Sequence, residues 1–246
     1  MELHALGIIA IAGLIAGLIN GVVGGASLMT YPVLIATGLS PVNAVVTNII
    51  GMGGGNLFAV LPALRTRRPL LRAWLGSAGI TAIGALMGAI LLLVSPERFF
   101  AAIVPVLVAF ATITMLVPRP VLQPHGPGHP HTNLRLWGSG VYSGYFGSGM
   151  GVISIAVLSR DGRLDMREVA VVKNLVIAAA NTVASVFFLW TGHADLPRAI
   201  VLFASSALGG YLSGSAIDRS NPDLLRWLVV AIGLGSTTYL TLRVLH

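Results

Sequence analysis

The residues best placed to do chemistry lie in one apolar stretch, "VAVVKNLVIAAANTV", residues 169–183. Lys173 is the only lysine, and the other fourteen basic residues are arginine. No charged residue follows it until after Trp190. A helix starting near Asp165 or Met166 would carry Lys173 about 11 Å inward at 1.5 Å per residue. A buried charge in lipid is costly and usually faces a bundle interior or an aqueous path. Snorkelling to the headgroups and an internal ion pair are the alternatives. Within the predicted spans acidic residues occur only in first turns (Glu97, Glu168, Asp195 and Asp223), so an inward cation at this depth favours an anionic ligand. Asn174 beside it offers amide donors to an oxyanion and an acceptor to position the ammonium.

Such a group needs helices that hold it in lipid, and the composition calls for them. The chain has 246 residues, 55% hydrophobic and 9% charged, with mean hydropathy +0.87. A soluble domain carries about 25% charged residues. A membrane helix needs about 20 apolar residues, and no Asp, Glu, Lys or Arg occurs between Ala5 and Leu64. The runs are continuous, unlike the alternating ten-residue segments of a barrel. An all-α integral membrane protein with several passes is expected. The net charge of +7 comes from arginines in short loops, which fits the positive-inside bias rather than nucleic-acid binding. The absence of cysteine excludes disulfides, thiolate catalysis and cysteine-held metals.

The chain also repeats itself. "NAVVTNIIG" (43–51) lies over "VAVVKNLVI" (169–177), so Thr47 and Asn48 align with Lys173 and Asn174 at a shift of 126. At the same shift Arg72-Ala73 meets Arg198-Ala199, Gly84 and Gly88 meet Gly210 and Gly214, and Pro96 meets Pro222. Gly17, Gly21 and Gly24 meet Gly140, Gly144 and Gly147 at a shift of 123. Two homologous halves, 1–117 and 135–246, are joined by a Pro/Gly/His-rich cytoplasmic linker, 118–134, within one integrated membrane domain. Each half opens with a Gly-broken stretch (3–23 then 26–37; 135–146 then 149–158). Three longer helices follow: 41–64, 70–94 and 97–117, then 166–191, 195–216 and 222–243.

Loop charge orients the halves. "RTRRPLLR" (65–72) is basic whereas its counterpart "TGHADLPR" has one arginine; "TGLSP" (37–41) is uncharged whereas "SRDGRLDMR" (159–167) has three. Such a swap predicts inverted-topology repeats, each a Gly-broken hairpin plus three transmembrane helices. The broken stretch must then enter and return on one side. Its glycines, Gly24 and Gly25 before Ser27, and Gly147 and Gly149 around Ser148, permit the reversal. A helix restarting after a break presents free N–H groups and its positive dipole end, and two such ends would cradle an anion. Asn181 and Asn56 are further polar candidates. "GMGGGN" (51–56) would either bend its helix or let another pack closely. His4, in the first turn of the first stretch, is the only histidine in a predicted span and supplies no base at the depth of the Ser148 break, so an enzyme is not expected. "HGPGHPH" (125–131) in a loop without carboxylates or cysteines is not expected to hold a metal. No cofactor is implied.

The motifs "GLINGVVGGASLMTYPVL" and "LSPVNAVVTNIIG", with their echoes "GVYSGYFGSGMGVIS" and "EVAVVKNLVIAAAN", resemble the TauE/SafE sulfite exporter family, also called the 4-toluenesulfonate uptake permease family. The resemblance covers nearly the full length. It implies a multi-pass permease of the cell inner membrane that moves a small sulfur-containing or organic anion, of the sulfite, sulfonate or sulfoacetate type. The site would lie at the breaks and on the helices of Thr47 and Lys173. An anion channel and a structural subunit of a larger complex are the rival readings. The expected partners are the anion and the bilayer, with self-association left open.

Overall fold

The computed structural model describes residues 2–22, 24–116 and 129–216, with residues 227, 230, 231, 233–235 and 238 beyond them. Most of the Pro/Gly/His linker, including His125, lies outside the described residues, as do Pro222 and most of the helix expected over 222–243. Ten helices are described: α1 (Glu2–Val22), α2 (Ser27–Ala36), α3 (Pro41–Thr66), α4 (Arg68–Ala73), α5 (Leu75–Val94), α6 (Glu97–Leu116), α7 (Thr132–Phe146), α8 (Met150–Ser159), α9 (Met166–Thr191) and α10 (Leu196–Ala216). Five are long and apolar enough to cross a membrane, within α1, α3, α5, α6 and α9. The protein is an all-α integral membrane protein.

Local chemistry sets the helix ends. Asp165 accepts from the Glu168 N–H at 2.8 Å, and the Glu168 carboxylate accepts from the Asp165 N–H at 3.0 Å. This reciprocal cap starts α9 where the sequence places it and contributes about 1 kcal/mol. Pro41 occupies the first turn of α3, where its missing N–H does no harm. The helix expected over 70–94 divides at Trp74, whose backbone (φ −105°, ψ 5°) leaves the helical region. Trp74 is buried, and the Arg163 guanidinium lies 4.7 Å from its ring centroid. A cation–π contact of this kind ties the α8–α9 loop to the α4–α5 junction, a tertiary demand that local sequence does not announce.

The central helices are α3 and α9. Within the membrane-length window of α3, 78% of residues are buried, against 28% for α6 at the periphery. "GMGGGN" does not bend α3, which runs unbroken from 41 to 66. Its glycines admit α10 instead. A methyl on Gly54 would lie 2.5 Å from the Phe203 carbonyl oxygen, and one on Gly51 would strike Leu202.

Glycine pairing also fixes direction. Along α1, Gly13, Gly17 and Gly21 meet Leu202, Ser206 and Ser213 in that order, so α1 and α10 run the same way. Gly84 and Gly88 of α5 meet Trp137 and Val141 of α7, again in parallel. The broken hairpin of each sequence half therefore packs on the other half. Small residues let backbones approach where lipid supplies no hydrophobic drive. The two contacts match position for position, except that Gly84 corresponds here to Gly209, a shift of 125 and not 126. In contrast, α3 and α9 run oppositely. Gly53 lies near Asn181 and Ser185, whereas Val60 and Ala63 cluster with Val171 and Ala178.

Arg65, Arg67, Arg68 and Arg72 around α4, Arg135 in the first turn of α7, Arg160 and Arg163 in the α8–α9 loop and Arg167 in the first turn of α9 gather at one end of the bundle. Ser77 of α5 donates to Asn133 of α7 there at 2.8 Å.

Candidate functional site

The two glycine breaks meet in the interior. Gly24 (φ +78°) and Gly25 (φ +81°) separate α1 from α2, and Gly147 (φ +76°) and Gly149 (φ +84°) separate α7 from α8. Left-handed backbone of this kind suits glycine far better than residues with a Cβ. At the crossing a methyl on Gly24 would come 2.7 Å from the Gly151 carbonyl carbon, and one on Gly151 would come 2.6 Å from the Gly24 Cα. Neither position can carry a side chain while the breaks touch.

Hydrogen bonds stitch the crossing. Ser148 Oγ donates to the Ser27 carbonyl at 3.1 Å, and the Gly149 N–H donates to Ser27 Oγ at 3.2 Å. From α3, Asn48 Nδ2 donates to Ser148 Oγ at 3.1 Å, and Asn48 Oδ1 accepts from Thr30 Oγ1 at 2.5 Å. Ser27, Thr30, Asn48 and Ser148 are all buried. A buried polar group without partners is costly, so a complete network here holds one register. Helices α2 and α8 both begin at this point, so two positive dipole ends converge on it. The edge-to-face contact of Tyr31 and Phe146, with centroids 5.5 Å apart, packs α2 against the end of α7.

Lys173 points inward and is fully buried. Its ammonium donates to the carbonyls of Asn20 at 2.6 Å and Gly21 at 3.2 Å, at the end of α1. Asn174 Nδ2 donates to the same Gly21 carbonyl at 3.2 Å. Asn20 in turn donates to Asn56 Oδ1 at 2.8 Å. The lysine is thus not a snorkelling anchor. It closes the end of α1, which stops at Val22, just before the break at Gly24.

Of the residues singled out from the sequence, Gly24, Gly25, Ser27, Asn48, Gly147, Ser148, Gly149, Lys173 and Asn174 are brought together at the crossing. Thr47 is turned elsewhere: its hydroxyl accepts from the Asp195 N–H at 3.2 Å, before α10. Asn181 is buried between α3 and α9 near Gly53. Asn20 and Thr30 were not foreseen. A buried polar residue one turn before a glycine break is the signal that could have marked Asn20.

Polar groups also mark both ends of the bundle. At the arginine-bearing end, buried Asp161 accepts from Thr132 and pairs with Arg163. Burial pushes the Asp161 carboxyl up, but the hydrogen bonds from Arg163 and Thr132 and the nearby guanidinium charge outweigh it and hold the pKa below the ordinary value. At the other end Arg198 pairs with Asp195 and donates to the Thr37 carbonyl at 3.4 Å. A cavity of about 560 Å³ lies there between α2 and α6, lined by Tyr31, Ser40 and Arg98 among others.

A multi-pass helical bundle organised around two interlocked helix breaks belongs, as a class, with membrane transporters. The chain matches the family model described as sulfite exporter TauE/SafE over residues 9–240, and it belongs to that family. Among its relatives, the probable membrane transporter protein YfcA of Escherichia coli (strain K12) is 25% identical over 238 residues, covering 92% of this chain and 86% of its own. A probable membrane transporter protein of Haemophilus influenzae is 27% identical, covering 94% and 92%. The probable membrane transporter protein ORF9 of Sinorhizobium sp is 30% identical over 120 residues, 48% of this chain and 46% of its own.

Proposed function

We propose that the protein is a secondary transporter that carries a small sulfur-containing or organic anion, of the sulfite, sulfonate or sulfoacetate type, across the inner membrane by alternating access between two inverted halves. The observation that carries the reading is the meeting of the two glycine breaks beside a fully buried lysine. Two helix N-termini and an ammonium give the crossing a positive field, which selects anions. The opposed directions of α3 and α9 support the inverted arrangement, and the arginines gathered at one end support placing that end in the cytoplasm.

In this reading the anion sits at the crossing when the breaks part. Asn48, Ser148 and Ser27 exchange their mutual hydrogen bonds for bonds to its oxygens, and Asn174 and Lys173 hold the α1 side. Thr47 and Asn181 line the path and do not touch the seat. The cavity beside Tyr31, with Arg98 on its wall, is the vestibule on the far side. One half then rocks against the other. Export of an anion is favoured by the membrane potential, at about 2.3 kcal/mol per charge per 100 mV.

The test is flux of labelled sulfite and of a labelled sulfonate in proteoliposomes. Wild type should show saturable flux of at least one of them. Lys173→Ala should lose at least tenfold. Lys173→Arg should recover part of that loss if charge suffices, and none if the seat demands the lysine shape. Full flux in Lys173→Ala sinks the proposal. Current that does not saturate points to a channel.

A further inference from the structure

Helix α1 stops inside the protein, so its last carbonyls form the negative end of its dipole; the Asn20 carbonyl also accepts from the Gly24 N–H at 3.2 Å. The Lys173 ammonium is seated on two of them, from Asn20 and Gly21. The Asn174 amide donates to Gly21, while its own Oδ1 is buried and has no donor among the described residues. Two carbonyl oxygens of α1 thus hold one positive centre that a side chain of α9 delivers. In transporters, carbonyls at a broken helix end are a seat for a bound sodium ion.

We propose that Lys173 is a tethered stand-in for a coupling sodium ion. The wild-type protein is sodium-independent because the seat is filled from within, and removing the ammonium opens a site for a free monovalent cation. That this bears on coupling rests on the transporter reading; the seat itself rests on the geometry alone. The same ammonium keeps a fixed positive charge three residues before Gly24, where the anion needs it.

Heat unfolding of the purified protein in sodium, potassium and choline chloride at equal ionic strength tests this. Wild type should unfold at the same temperature in sodium and choline. Lys173→Ala should show a saturable, sodium-specific rise of about 3 °C or more. Lys173→Met, whose unbranched chain refills the space without charge, should show none. If Lys173→Ala is not recovered folded from choline, its recovery from sodium counts in favour. The proposal is overturned by a Lys173→Ala protein that behaves alike in all three salts, or is recovered from none, and equally by a sodium-specific rise in wild type. Wild-type flux should change less than twofold when choline replaces sodium. A protein that moves no anion yet gains the sodium response on losing Lys173 would refute transport and leave the cation seat standing.

Discussion

The two helix breaks occupy corresponding places in the chain but are closed by different chemistry. The α1 break has two consecutive left-handed glycines, and its carbonyls are held by Lys173 and Asn174. The α7 break ends on left-handed Gly147. The helix that carries Thr47 and Asn48 sends only neutral groups toward it. Asn48, which aligns with Asn174, donates to Ser148 Oγ and not to a carbonyl. Thr47, which aligns with Lys173, serves the Asp195 N–H. A break of this shape is therefore buildable from glycine and neutral hydrogen bonds. The ammonium at the other one is an addition, and a costly one in lipid, which is why it is read as functional.

The largest effect that could break this comparison is at the glycines. Gly24→Ala combines positive φ with backbone at 2.7 Å, and neither can relax cheaply. A loss on the order of 3 kcal/mol or more is expected, read as failure to recover monodisperse protein. Gly147→Ala is also at positive φ but meets the Ile49 side chain at 2.4 Å, with backbone no nearer than 3.7 Å, so a side chain and not the backbone must shift and about 1–2 kcal/mol is expected. Equal losses would remove the distinction between the two breaks.

Next come the paired asparagines. Asn48→Ala removes one accepted and one donated bond inside a buried network and should lower stability by about 2 kcal/mol; Asn174→Ala removes one and should cost about 1 kcal/mol. Thermal unfolding in detergent measures both, and the reverse order would contradict the geometry. Smaller still is Thr47→Val. It keeps the shape and removes a single acceptor, for about 1 kcal/mol or less, and flux should stay within about threefold of wild type if Thr47 lies off the anion seat.

The smallest effect lies at the arginine-bearing end. Because the folded Asp161 pKa is depressed, its stabilising contribution is present above the ordinary carboxylate range and is lost as pH falls through the lowered folded value. The Arg163 side chain is half exposed, so Arg163→Gln should cost about 1 kcal/mol or less at neutral pH. The gap between variant and wild type should close on acidification. A gap that persists in acid would assign Arg163 to its contact with Trp74 and not to Asp161.

Much of the scaffold was legible because lipid enforces local bookkeeping of hydrogen bonds. A chain without water must satisfy its backbone within helices, so apolar length and glycine punctuation mark the elements. The expected spans 41–64 and 166–191 appear as 41–66 and 166–191, and both hairpin breaks fall at the foreseen glycines. The division at Trp74 was not legible, because the Arg163 guanidinium that rests on it is far away in sequence. The one-residue offset between the alignment of α5 with α10 and their actual packing was hidden for a related reason. Which glycine meets a neighbour depends on helix rotation, and rotation is set by the partner.

By itself the sequence determined that this chain lives in a bilayer, where its helices break, and that one of those helices carries the single lysine. Only the tertiary structure decided that Gly24 lies on Gly151, that Asn48 reaches Ser148, and that Lys173 closes the end of α1. Side-chain types are written in the sequence, but the acceptors Lys173 uses are backbone carbonyls, which every residue carries alike. Nothing in a string of letters distinguishes the carbonyls of Asn20 and Gly21 from any others until a helix ends there in the interior and turns them toward the ammonium.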